Sequence, residues 1–304
     1  RSDKMVWRIR RDHLLEDTLQ QLDQYENEDL RKELKVVFVG EEAVDEGGVQ
    51  KELFMLITRE LFDPLYGMFT YDPKMRTYWF SSISADWIQF ELVGKILGLA
   101  IYNGIILDIQ FPLVVYKKLL REKVTLRDLR SAFPSFANGL DQLLRYEGDV
   151  EDMGLTFQIM VDRYGETTTV DLKPDGGNIA VTNENRTEFV ELYTKYYLED
   201  SVEKQFDYFY KGFKCVCGGQ QMRLFSVEEL QQLVCGSPTL DFTQLEAACY
   251  YQGYTKESPE VRSFWEVVHS LDEDQKKKLL VFATGSDRSP IGGLQNLTFV
   301  IVKH

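Results

Sequence analysis

Apolar positions along the chain follow two different spacings, and each change of spacing marks a change of element. From residue 5 to residue 35 the spacing predicts helix, with Leu14, Leu15, Thr18, Leu19 and Leu22 on one stripe. "KVVFVG", Lys35 to Gly40, reads as a short strand. Gly47 and Gly48 then make a flexible turn, and Val49, Leu53, Leu56, Ile57 and Leu61 form the apolar face of a helix. "DPLYGMFTYD" leads from a turn into an aromatic strand, which pairs with "YWFS" in a hairpin over Asp72-Pro73. The longest apolar run, Leu92 to Ile109, is interrupted by Lys95, Asn103 and Asp108 and is barely long enough to span a bilayer. It reads as a helix buried within a large lobe.

The middle of the chain changes character. "SFANGLDQLLRYEGDVEDMG" is a helix followed by an acidic loop. Leu155, Phe157, Ile159 and Val161 then alternate towards a turn at Tyr164-Gly165, which predicts a β-hairpin. A long helical segment opens on Thr182 or Asn183, either of which suits an N-cap. Gly236, Ser237 and Pro238 form a breaker triplet between two helical stretches and are the best candidate for an interdomain hinge. Beyond it, Ser258-Pro259 and Asp272 start two more helices, and "LTFVIVKH" reads as a strand. No internal repeat or low-complexity stretch is present.

Composition narrows the function classes. With 44% hydrophobic and 28% charged residues over 304 positions, the chain has the makings of one large domain or two smaller ones. A net charge of −14 argues against a nucleic-acid surface and permits a basic protein partner. The four cysteines, Cys215, Cys217, Cys235 and Cys249, make no C-x-x-C pair and have no histidine at metal-ligand spacing, so they read as reduced thiols of an intracellular protein. The charged N-terminus is unlike a signal peptide. Phosphate-binding glycine loops, an H-E-x-x-H helix and a G-x-S-x-G elbow are all absent from the sequence. Carboxylates are too numerous for any pairing to be informative.

The order of segments says more than any single motif. "VDEGGVQKELF", "DPLYGMFTYD", "LVGKILGLAIYNGIILDIQFPLVVYKKLL", "LLRYEGDVEDMGLTFQI", "VTNENRTEFVELY", "SVEKQFDYFYKGF", "CGSPTLDF", "GYTKESPEVRSFWEVVHSL" and "LLVFATGSDRSPIGGL" follow one another. Together they closely resemble the HECT domain of HECT-type ubiquitin ligases, in the branch of the E6-associated protein and the HERC ligases. The resemblance runs from about Val36 to the last residue. It implies an α+β, bilobed fold. A mainly helical N-lobe would span 1–235, with a small α/β subdomain at about 131–215 that docks a ubiquitin-charged E2. The hinge would be 236–238, and 239–304 would be part of an α/β C-lobe. The family's nucleophile is a cysteine in a T-C-F-like context, expected shortly after His304. None of the four cysteines here stands in that context. No metal or small cofactor is required.

The resemblance also assigns residues. Phe136, Leu140 and Leu143 share a helical stripe, with Tyr146 near its end. The stripe alone fits a buried core face equally well. The family match places these four in the E2-binding groove, together with Asp152, Met153 and Leu155 from the acidic loop and Phe189 from the following helix. Leu65 and Tyr66 fall where part of the family holds a non-covalent ubiquitin. The expected partners are an E2 enzyme, ubiquitin and protein substrates, with no nucleic acid and no membrane, in the cytoplasm and with the nucleus as a second location. Two functional classes stay open: a transferring ligase, and a HECT-like pseudoenzyme that only scaffolds E2 or ubiquitin.

Overall fold

The computed structural model describes residues 4–41, 47–163 and 165–303. The expected turn residue Tyr164, residues 44–46 of the glycine-led segment and His304 lie outside the described residues. In chain order the elements are β1 (Lys4–Ile9), α1 (Leu14–Leu22), β2 (Glu33–Phe38), α2 (Gly48–Leu61), β3 (Phe69–Asp72), β4 (Thr77–Phe80), α3 (Trp87–Asn103) and α4 (Leu113–Leu119). Then come α5 (Leu126–Ala132), α6 (Pro134–Arg145), β5 (Gln158–Arg163), β6 (Glu166–Asp171), α7 (Arg186–Leu198) and α8 (Glu203–Cys217). The last are α9 (Val227–Cys235), α10 (Phe242–Ala248), β7 (Tyr250–Gln252), α11 (Pro259–Ser270), α12 (Glu273–Thr284) and β8 (Val300–Val302). Helices dominate and the strands pair only two by two, so the fold is α+β. No helix among the described residues is long and apolar enough to cross a membrane.

The chain forms two compact units, each discontinuous in sequence: Arg1–Glu60 with Lys95–Ile109 and Phe213–His304, and Leu61–Gly94 with Gln110–Gly212. In the first unit the N-terminal segment is not helical throughout. β1 pairs in parallel with β2, Lys4 opposite Glu33 through Ile9 opposite Phe38. Met5, Trp7 and Ile9 alternate with less buried neighbours, as do Leu34, Val36 and Phe38, and these six residues bury one face of the pair. A parallel pair needs a crossover, which α1 supplies. The same unit contains a tight helix approach: a Cβ on Gly98 would lie 2.8 Å from the Val216 Cβ. Its C-terminal part has its own core of Phe242, Leu245, Val261, Trp265, Val268, Leu280 and Leu294. There β7 and β8 pair in parallel, and the Trp265 indole donates to the Tyr251 hydroxyl at 3.0 Å.

The second unit is built on aromatic rings. Phe62 stacks on Phe69 with centroids 4.3 Å apart, and Phe80 stacks on Phe111 at 5.9 Å. The β3–β4 hairpin turns at Asp72-Pro73 as its sequence predicts, with Asp72 Oδ1 accepting from the Lys74 and Met75 amides. The β5–β6 hairpin is likewise antiparallel, Gln158 opposite Asp171. The expected N-cap at Thr182 or Asn183 lies two to three residues later, at Asn185. Thr182 Oγ1 instead closes a turn, accepting from the Glu184 and Asn185 amides, and α7 begins at Arg186.

Candidate functional site

The site predicted from α6, the acidic loop and α7 lies within the second unit. Pro134 opens α6 at its first turn, where a missing N–H costs nothing. The helix stops at Arg145 because Tyr146 turns extended, with φ −65° and ψ 126°. That end is capped from α7: Arg186 Nη1 donates to the carbonyls of Leu143 at 3.3 Å and Tyr146 at 2.6 Å. Asn183 holds the next stretch, donating to the Gly148 carbonyl at 3.2 Å and accepting from the Val150 amide at 3.1 Å. Asp149 caps the short turn Val150–Met153, and Gly154 leaves it in the left-handed region. Val150 is fully buried and anchors this loop, while the carboxylates of Glu147, Asp149, Glu151 and Asp152 stay exposed.

The structure brings part of the predicted set together and leaves the rest exposed. The Phe136 ring lies 5.3 Å from Tyr193, and Tyr193 lies 5.7 Å from Phe189. Phe189 in turn meets Phe157 edge-on at 5.6 Å. Leu140, Leu143 and Phe189 are buried, the last only 5% exposed. Tyr146, Met153 and Leu155 remain 42%, 41% and 37% exposed. The rings of Phe136, Tyr193, Phe189 and Phe157 therefore form one contiguous aromatic run, while Tyr146, Met153 and Leu155, exposed, belong to the adjoining segment with its acidic residues. Phe136 and Tyr193 also line a cleft of about 570 Å³ with Trp79, Ile159, Tyr196 and Tyr197.

Sequence reasoning missed Tyr193, Asn183 and Arg186. Tyr193 had a readable signal, four residues after Phe189 on one helix face. Burial pushes its phenol up, which keeps it a hydrogen-bond donor. Asn183 and Arg186 had none, because their partners are backbone carbonyls and an amide some 33 to 43 residues away.

Leu65 and Tyr66 sit in a short turn, Pro64–Tyr66, whose Leu65 amide is capped by Asp63 at 2.8 Å. Leu65 is 95% exposed. At the candidate hinge, Gly236 adopts φ 65°, and a Cβ there would meet the Ser289 carbonyl oxygen at 2.6 Å. Ser237 is tied to Ser289 by two backbone hydrogen bonds, of 2.7 and 3.0 Å.

The cysteines are reduced thiols, and burial acts against ionising Cys217 and Cys249. It pushes Cys217 up to about 11 and also raises Cys249. The Cys217 Sγ donates to the Gly98 carbonyl at 3.7 Å, and that of buried Cys235 to the Gln231 carbonyl at 3.1 Å. Among the described residues no group of His, Cys, Asp and Glu side chains could hold a metal ion.

Comparison with known proteins places these features. The family described as HECT-domain (ubiquitin-transferase) matches residues 55–304. The chain is 45% identical to the human probable E3 ubiquitin-protein ligase HECTD2, over 98% of this chain and 40% of that protein. It is 46% identical to human probable E3 ubiquitin-protein ligase HERC4, over 96% of this chain and 28% of the relative. A fungal relative, probable E3 ubiquitin-protein ligase HUL4 of Eremothecium gossypii, is 41% identical over 97% of this chain and 37% of its own length. The chain thus spans well under half the length of these relatives.

Proposed function

Because the chain belongs to the HECT ubiquitin-transferase family, we propose that it is the E2-docking and transfer module of an E3 ubiquitin ligase. The whole protein takes ubiquitin from a charged E2 onto a cysteine and passes it to a substrate lysine. In the first step a ligase thiolate attacks the carbonyl carbon of the E2–ubiquitin thioester, and the E2 sulfur leaves as thiolate. In the second, a lysine amine attacks the new thioester and the ligase sulfur leaves. The two thioesters are close in energy, so catalysis lies largely in bringing the sulfurs of two proteins together. A docking lobe over 1–235, a hinge at Gly236, Ser237 and Pro238, and a mobile lobe from residue 239 onward suit that task.

The observation that most supports this reading is the apolar patch on α6 and α7. Exposed Tyr146, Met153 and Leu155 come from the segments that adjoin half-buried Phe136 and Tyr193 and buried Phe189, with Asp152 and its acidic neighbours exposed on the same loop. Aromatic and aliphatic anchors ringed by charge suit a partner that must bind and leave in each cycle. The acidic edge favours a basic E2 surface. Met153→Ala and Leu155→Ala, both at exposed positions, should each weaken E2 binding by about 1 kcal/mol or more without lowering the melting temperature. Unchanged affinity in a calorimetric titration of both variants would remove the patch from the interface.

A second reading, a HECT-like scaffold that binds E2 or ubiquitin without transfer, draws on the cysteines. Burial holds the thiols of Cys217 and Cys249 towards the neutral form. In the ligase reading the nucleophile is simply none of these four, and the two readings divide on whether the whole protein carries a reactive cysteine in T-C-F context.

A further inference from the structure

Resting on the E2-docking reading, we propose that Gly148 and Arg186 are positioning residues that hold Tyr146 ready for the partner. Three observations carry this. First, the Tyr146 ring lies directly against Gly148: a Cβ added there would come within 2.6 Å of its Cε1, Cζ and hydroxyl oxygen. Only a residue without a side chain leaves that seat. Second, Gly148 is not among the glycines with positive φ, so its backbone does not itself require glycine. What demands the missing Cβ is the ring. Third, the Tyr146 carbonyl is held by Arg186 at 2.6 Å, and the Gly148 carbonyl by Asn183 at 3.2 Å. Backbone and ring of one exposed aromatic are thus held by separate contacts, one donated by Arg186 at the start of α7, the helix that carries Phe189 and Tyr193, and one by Asn183 just before it.

An exposed tyrosine is ordinarily free to change rotamer, and a partner that uses it must freeze it on binding. Here one side of the ring is already seated against Gly148 before the partner arrives. The loop's acidic residues gain from the same arrangement, because Gly148 and Val150 are tied to Asn183 on either side of Asp149.

The glycine gives an unusually clean test. In Gly148→Ala the clash falls on the far end of a flexible side chain, so the ring swings aside and the fold survives. The experiment uses the 304-residue chain and whichever member of a panel of purified E2 enzymes binds it most tightly, read by calorimetric titration. Gly148→Ala should weaken binding by about threefold to tenfold, the cost of one side chain no longer pre-ordered. Its melting temperature should stay within about 2 °C of the parent. Arg186→Met should weaken binding in the same direction. In a Tyr146→Ala background both changes should become silent, since they act through the ring that is gone. A merely structural role would give equal losses in both backgrounds, and that result overturns the proposal. So does unaltered affinity in Gly148→Ala when Met153→Ala still weakens binding. If Met153→Ala and Leu155→Ala also leave affinity unchanged, or no E2 in the panel binds, the docking reading itself has failed and the positioning role falls with it.

Discussion

Lys118 is a charged residue that the fold has nearly enclosed. Its Nζ donates to the Leu198 carbonyl at the end of α7, at 2.6 Å, and lies 4.1 Å from the centre of the Phe206 ring. Burial pushes its pKa down to about 8, against the partly opposing pull of Glu199 and Asp207. An unfolded chain keeps this lysine protonated to about 10.4. Between those values the unfolded state binds the extra proton, so this group makes stability rise with pH, by about 3 kcal/mol over the whole window. Cys217, held neutral in the fold, works in the opposite sense above about pH 8.5, where an unfolded thiol ionises. The quantity to measure is therefore the difference between Lys118→Met and its parent. Urea melts from pH 7.5 to 10 should show the variant's relative advantage shrinking as pH rises. A difference that stays constant across the series would mean that the folded amine keeps its proton as the unfolded one does, so that burial does not depress it.

At the scale of elements, the close passage of α3 and α8 at Gly98 and Val216 sets a limit on volume. Gly98→Ala gains up to about 1 kcal/mol of helix propensity but forces a Cβ to within 2.8 Å of another. Overpacking costs typically about 1–3 kcal/mol, so the expected net effect is destabilisation, visible as a lowered midpoint in thermal unfolding. A midpoint at or above the parent's would show that Val216 can retreat. Nothing in the sequence marks this glycine as a packing site, because its partner is more than a hundred residues away. Local signals were legible: alternation and Asp72-Pro73 fixed one hairpin, and Phe136, Leu140 and Leu143 marked the inner face of α6. The strand at Lys4–Ile9 was hidden because its period-two pattern runs straight into the leucine stripe of α1, and its partner strand is not adjacent. Helical spacing likewise could not say how much of the α6–α7 surface is covered. Leu140, Leu143 and Phe189 are buried while Tyr146 is not, and only tertiary packing decides that. Truncating Phe189 would accordingly disturb the fold as well as docking.

For the whole molecule, the proposed reading makes docking and covalent transfer separable properties. The patch on α6 and α7 requires none of the four cysteines, and Cys217 and Cys249 are held towards the neutral thiol. Mixed with a ubiquitin-charged E2, the 304-residue chain should therefore bind it and yet form no ubiquitin thioester of its own. A non-reducing gel checks this. An adduct that dissolves in thiol and disappears in Cys249→Ser would relocate the reaction to that residue. The candidate hinge adds a constraint on motion. Ser237 is bonded to Ser289 through both its amide and its carbonyl, and the ring of Pro238 fixes that residue's φ. On the proposed two-lobe reading, while those bonds hold, Gly236 is the residue of the triplet left to turn, and it has two rotatable angles. A body hung from two angles cannot wander through a volume; it sweeps a surface, and every point it visits is a pair of values of one glycine's φ and ψ.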